Sequence, residues 1–237
     1  EPRHDSLRRL MDLNYKIVRS QKRKKLTITV ERDRSIIVHA PEGTSEEAVR
    51  RVVDAKRQWL FDKLRHPQKY QSRPPAPGKE VVNGESAPYL GRDYRIEVKE
   101  TESGEVEFSR RFLVPVARQT ERREVLRVWY LARAEEKILP RVKHHARGLG
   151  VAFAAARIVD SRYRWGSCTV KDNVHFNWRL IKAPMFVIDY VIVHELAHLI
   201  EANHSSRFWN IVRANASTTE KAKRWLLENG QVLEEEI

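Results

Sequence analysis

The segment Val191-Ile192-Val193-His194-Glu195-Leu196-Ala197-His198-Leu199 constrains this chain more than any other, because it sets two imidazoles and a carboxylate into an apolar run. The run predicts a helix over about 186–202, after Pro184. At ~100° per residue, positions four apart lie nearly above one another on a helix. His194 and His198 therefore share a face and can grip one ion. Glu195, one position on, can reach a water at that ion without being a ligand. Val191, Ile192, Leu196 and Leu199 bury the rest of the helix. Two histidines and a glutamate could be chance surface residues, but a solvated helix would not be this apolar. A buried, charged Glu195 would be costly without a metal or another partner.

A catalytic zinc takes three protein ligands and keeps a position open for water. His204, in Asn203-His204-Ser205 just past the helix, is the candidate third ligand, and Glu201, three residues beyond His198, competes with it. One Zn2+ per chain is the expected cofactor. Glu195 is the candidate catalytic base, taking a proton from the water that attacks a peptide carbonyl and passing it to the leaving amine.

The fold class expected around this helix is α+β, with residues 1–115 as a β-rich N-terminal region and 116–237 as the catalytic domain. Alternating runs at 26–30 and 35–40 predict two strands, followed by a helix over about 46–64 that Thr44 or Ser45 can cap. Arg73-Pro74-Pro75-Ala76-Pro77-Gly78 reads as a linker. Strands are expected at 79–82, 92–98 and 106–114. A long helix over 121–149 should kink or break at Pro140. A strand near 157–160, a hairpin over 163–180, a helix from Ser205 or Ser206, and a last helix stopped at Asn229-Gly230 complete the pattern.

The chain resembles the YgjP-like metallopeptidase family, which is related to the WLM and SprT-like zinc proteases. The strings that carry the resemblance are Arg164-Trp165-Gly166-Ser167-Cys168, Phe176-Asn177-Trp178-Arg179-Leu180, and the segment from Asp189 to Leu199. Asn203-His204-Ser205-Ser206-Arg207-Phe208-Trp209 continues it, and Arg19 to Leu26 and Ala40 to Gly43 extend it to the N-terminal half. The resemblance implies a minimal zincin-type domain in which the three histidines hold zinc and the glutamate is the base. The related proteases are associated with cleaving proteins bound to DNA.

Zinc peptidases commonly bind substrate as an added strand along a sheet edge, and His175-Phe176-Asn177-Trp178 is the expected edge. Trp165, Phe176 and Trp178 read more simply as core. Arg164, His175 and Asn177 are the substrate-binding candidates, with Tyr163 a further candidate to stabilise the oxyanion. Cys168 could reach the metal as an inhibitory ligand, although a lone cysteine in a hairpin is more often buried filler. His39 and the pair His144-His145 lack metal spacing and read as surface residues.

Charge bears on partners rather than on fold. Lys and Arg outnumber Asp and Glu by 45 to 32, a formal charge of +13. Lys22, Arg23, Lys24 and Lys25 are the nucleic-acid-binding candidates, equally readable as a solvated strand edge. The expected partners are a protein or peptide substrate and, from the charge, DNA, but no membrane. One cysteine excludes an internal disulfide framework and fits a reducing compartment, no stretch approaches the roughly 18 apolar residues of a membrane span, and no signal pattern is seen. A cytoplasmic protein is expected. The function read from these features is zinc-dependent hydrolysis of peptide bonds, with DNA-associated proteins as candidate substrates. The alternative is a non-catalytic, zinc-stabilised nucleic-acid-binding module.

Overall fold

The computed structural model describes residues 13–31, 33–64, 78–161, 164–235 and 237. By internal contact the chain divides into two compact units, Glu1–Ser72 and Arg73–Ile237. The linker read at 73–78 lies outside the described residues except for Gly78.

In the first unit, β1 (Tyr15–Ser20), β2 (Thr27–Val30) and β3 (Ile36–Pro41) form a sheet in the order β1-β3-β2. The hairpin of β2 and β3 matches the alternating runs, while β1, which pairs parallel to β3, was not anticipated. Its own alternation is short: Tyr15 and Ile17 pack on the core while Lys16 and Val18 are exposed. Helix α1 (Glu46–Ala55) is capped by Ser45, whose hydroxyl accepts from the Ala48 N–H at 3.2 Å. The helix expected to run on to 64 breaks at Lys56, whose N–H is shared between the carbonyls of Val52 and Val53, tightening the last turn before α2 (Arg57–Leu64). Val49, Val53 and Leu60 close the core over Val30, Ile36, Val38 and Ala40.

The second unit contains the strands between 86 and 114 that the sequence pattern had grouped with the N-terminal region. These are β4 (Ser86–Tyr89), β5 (Arg92–Val98), β6 (Glu107–Phe108) and β7 (Phe112–Val114), in the order β4-β5-β7-β6. Aromatic packing puts them there. Tyr89, Phe108 and Phe112 meet Trp129 of the long helix α3 (Gln119–Leu149) with ring centroids 5.0, 5.5 and 5.0 Å apart. Residues 79–82 form no strand; the N–H groups of Glu80 and Val82 donate to the Glu85 carboxylate instead. The strand expected over 106–114 divides at Arg110, whose φ is +62°.

Helix α3 runs unbroken through Pro140, where a kink or break was expected. Pro140 is exposed, whereas Ile138 and Val142 on either side are fully buried. Their packing holds the turns and offsets the lost backbone hydrogen bond. Next come β8 (Ala155–Val159), β9 (Gly166–Cys168) and β10 (Asn173–Asn177), in the order β8-β10-β9, then a 3-10 turn over Trp178–Lys182. Helices α4 (Met185–Ala197), α5 (Ser206–Asn215) and α6 (Thr219–Glu234) complete an α+β architecture. Helix α6 continues through Asn229 and Gly230, where a stop was expected. There Gly230 is buried, and the Asn229 side chain donates to the Trp225 carbonyl at 3.1 Å.

Helix α4 is the centre of this unit, with Val187, Ile188 and every residue from Tyr190 to Ala197 buried. The β4–β5 turn fixes where it begins. Leu90 and Gly91 donate their N–H groups to the carbonyls of Ile181 and Lys182, both at 2.9 Å. Gly91 has φ +79°, and a Cβ there would lie 2.5 Å from Pro184 Cγ, so only glycine fits against the start of α4. Among the described residues no helix is long and apolar enough to cross a membrane.

Candidate metal centre

Helix α4 ends one turn earlier than its sequence pattern suggests, at Ala197 with His198 as cap. The chain then turns through 199–205 and re-enters helix at α5, whose cap is the Ser205 hydroxyl accepting from the Phe208 N–H at 3.2 Å. This short return brings His204 back over the end of α4. One ring nitrogen from each of His194, His198 and His204 lies within 4.8 Å of the others, and this is the metal-competent cluster found among the described residues. The Nε2 atoms of His204 and His194 are 3.0 Å apart. With zinc–nitrogen bonds of about 2.0–2.1 Å, two ligands of one tetrahedral ion sit roughly 3.3 Å apart, so the His194–His204 pair matches that spacing and His198 brings a third nitrogen within 4.8 Å. Glu201 is not in the cluster. It contributes its backbone carbonyl, which the His198 Nδ1–H can meet at 3.2 Å, leaving Nε2 for a metal.

The site is buried on one side and open on the other. His194 and Glu195 are 1% and 4% exposed, His198 is intermediate, and His204 is exposed. Phe208, fully buried, touches all three imidazoles, with centroids 5.0 Å from His194, 4.6 Å from His198 and 4.7 Å from His204. Behind them Tyr190, one turn before His194, is fully buried with its ring 5.9 Å from the His194 ring. Burial first, and then the Glu195 and Glu220 charges, push its phenol far above the usual range, so it stays neutral.

Glu195 meets a residue that sequence reasoning did not single out. A Cβ on Gly166 would lie 2.5 Å from Glu195 Cγ and 2.8 Å from Oε1. Gly166 has no left-handed φ that would by itself demand glycine. Space is what demands it: the bare Cα lets β9 come close enough to seat the carboxylate. A glycine inside a predicted strand was the available signal.

The same strand corrects the expected sheet edge. β10 is paired on both sides, to β8 and to β9, so His175-Phe176-Asn177 is the middle of the sheet, and β8 and β9 are its edges among the described residues. Gly166 lies opposite Phe176, and Ser167 opposite His175. Cross-strand partners share a face, so the His175 side chain lies on the face away from Glu195. Asn177 is fully buried, with its amide donating to the Ser161 carbonyl at 2.6 Å and its oxygen accepting from the Arg179 N–H at 3.0 Å. Arg164 is exposed just before β9. Trp165, Phe176 and Trp178 are buried core. Tyr163 lies outside the described residues.

Cys168 is half-buried on β9, two residues beyond Gly166 and therefore on the same strand face. Burial, then the charges of Glu195 and Asp172, push its thiol up to about 11, which keeps it protonated at neutral pH. His39 sits half-buried in the central strand β3, and His144 is exposed. His145 is not a free surface residue. Its Nε2 is 3.0 Å from Asp189 Oδ1, and Arg141 meets both Asp189 oxygens at 2.6 Å, tying α3 to α4. Burial alone would raise the Asp189 pKa, but the bonds from His145 and Arg141 outweigh it and hold the carboxyl low.

Two solved structures share part of this chain. One is the metallopeptidase zymogen abylysin of Pyrococcus abyssi, at 24% identity over 37% of this chain and 86% of that chain, with a TM-score of 0.33. The other is the metallopeptidase zymogen jannalysin of Methanocaldococcus jannaschii, at 17% identity over 37% of this chain and 91% of that chain, also at 0.33. No curated protein matches. The model of the YgjP-like metallopeptidase domain matches residues 24–229, and the chain belongs to that family.

Proposed function

We propose that this YgjP-like metallopeptidase holds one zinc ion on His194, His198 and His204 and hydrolyses peptide bonds with Glu195 as general base. The observation that carries the reading is the meeting of the three imidazole nitrogens within 4.8 Å, beside a carboxylate that is 4% exposed. Zinc at such a site, when bound, acts as a Lewis acid and lowers the pKa of water at its open position to about 7. His194 and His198, on the buried helix, and His204, on the return turn, would hold the ion. Glu195, seated against Gly166, takes the proton of the attacking water and delivers it to the departing amine. The outer edge of β9, where no further strand pairs among the described residues, takes the substrate backbone as an added strand, next to Glu195.

Three histidines and an open side support catalysis over a purely structural role, since structural zinc sites usually close the fourth position with a side chain. DNA-associated proteins are the substrates to try first, because Lys22, Arg23, Lys24 and Lys25 are all exposed. The test is Glu195→Gln. The variant should bind zinc as the parent does and lose peptidase activity by at least about a hundredfold, the effect of removing a general base. Cleavage at the parent rate would remove Glu195 from the mechanism.

A further inference from the structure

His204 is the weak point of the site. His194 and His198 are carried by a buried helix, but His204 is exposed and sits in a turn outside any helix or strand. A ligand in that position must give up backbone and rotamer freedom when it binds, which weakens the binding. Something must hold the imidazole in place beforehand if the site is to bind tightly.

From the rings and charges around it, we infer that Trp209 is the positioning residue for His204 and sets how tightly the metal is held. The inference rests on His204 being a metal ligand. The indole lies nearly parallel to the His204 ring, 27° between planes and 5.7 Å between centroids. Phe208 meets the same imidazole edge-on at 74°, so two perpendicular aromatic walls define its orientation. The indole is itself anchored. Lys223 Nζ lies over its ring at 4.8 Å and the Arg213 guanidinium at 6.0 Å. Glu220 joins these two cations, 3.3 Å from Arg213 Nε and 3.1 Å from Lys223 Nζ. Residues of α5 and α6 thus converge on a tryptophan that stacks on the exposed ligand His204 and also meets His194 edge-on, with ring centroids 5.7 Å apart, and Phe208 at 5.2 Å. Phe208 is fully buried and serves the core as well as the site, whereas Trp209 is only half-buried, so its loss separates positioning from packing.

The experiment measures zinc affinity by chelator competition and, separately, the thermal stability of the metal-free protein, for the parent, Trp209→Ala, Trp209→Phe and His204→Ala. Trp209→Ala should weaken zinc binding about 10–100-fold, the range for groups that orient a ligand, with the metal-free melting temperature little changed. Trp209→Phe, which keeps an aromatic face, should recover most of the affinity. The visible spectrum of the cobalt-substituted protein should change in Trp209→Ala and be parent-like in Trp209→Phe. Parent-like affinity in Trp209→Ala overturns the inference. So does a loss that matches the loss of metal-free stability and is not rescued by phenylalanine. His204→Ala tells the two levels apart: if it leaves affinity intact, the ligand assignment itself has failed, whatever the Trp209 variants do.

Discussion

Gly166→Ala puts the seating of Glu195 to a quantitative test. The added methyl would sit 2.5 Å from Cγ, 2.8 Å from Oε1 and 2.9 Å from Cδ of Glu195, all well inside van der Waals contact. Glu195 is 4% exposed, so it cannot swing into solvent, and Gly166 is hydrogen-bonded into β9 opposite Phe176 of β10. Either the strand or the carboxylate must move. Overpacking of this kind costs about 1–3 kcal/mol of stability, and a shift of about 1 Å in a catalytic group can cost about a hundredfold in rate. Zinc content should be unchanged, since none of the three histidines faces the new methyl in its nearest contacts. The decisive measurement is a double-mutant cycle by denaturant unfolding of the metal-free protein. Glu195→Ala removes all three atoms that the methyl meets. In that background the penalty for Gly166→Ala should fall to within about 0.5 kcal/mol of zero, giving a coupling of about 1–3 kcal/mol. An additive cycle would show that Gly166 and Glu195 do not meet in this way, and parent activity in Gly166→Ala would show that the seating does not matter for catalysis.

His204→Ala should abolish stoichiometric zinc binding while Glu201→Ala retains it, read by metal analysis after dialysis; the reverse pattern would assign the site to two histidines and a glutamate. Lys182 is 2% exposed and donates to the carbonyls of Leu233 and Glu235 at 3.3 and 2.9 Å, and burial, assisted by Arg179, lowers its pKa to about 7. The unfolded chain therefore binds the extra proton between about pH 7 and the ordinary lysine range, so this group's contribution to stability improves as pH rises through that window, by up to about 5 kcal/mol. Unfolding at pH 7 and pH 10 should show the parent gaining on Lys182→Met with rising pH, and a constant difference would mean the amine titrates normally. Reversing Lys22, Arg23, Lys24 and Lys25 to glutamate should weaken binding to duplex DNA and flatten its log–log salt dependence by about 0.9 for each phosphate no longer neutralised. No measurable DNA affinity of the parent at low salt would reduce this cluster to a solvated turn.

Local periodicity was enough to read the heart of the site in the sequence. Four-residue spacing on a helix places His194 over His198 whatever surrounds them, and the unbroken apolar run around them requires that helix to be buried. The same locality made the hairpin of β2 and β3, the bounds of β5 and the cap at Ser205 readable, because each depends on neighbours in the chain. Where the pattern misled, a long-range contact had overridden a local preference. Pro140 and Gly230 sit inside helices whose packing outweighs their propensity, and β4 and β7 lie with α3 because Tyr89 and Phe112 need Trp129. The edge strand could not be told from its neighbour, since β9 and β10 alternate alike and only the pairing of β10 with β8 decides which one is free. Nor could any spacing rule show that Gly166 lies under Glu195, that His145 joins Arg141 on Asp189, or that Trp209 faces His204. Sequence alone determined that His194, Glu195 and His198 fall within one helical turn, because that is helical geometry. The tertiary structure decided what holds those groups in place, because contacts between distant segments exist only once the chain has packed.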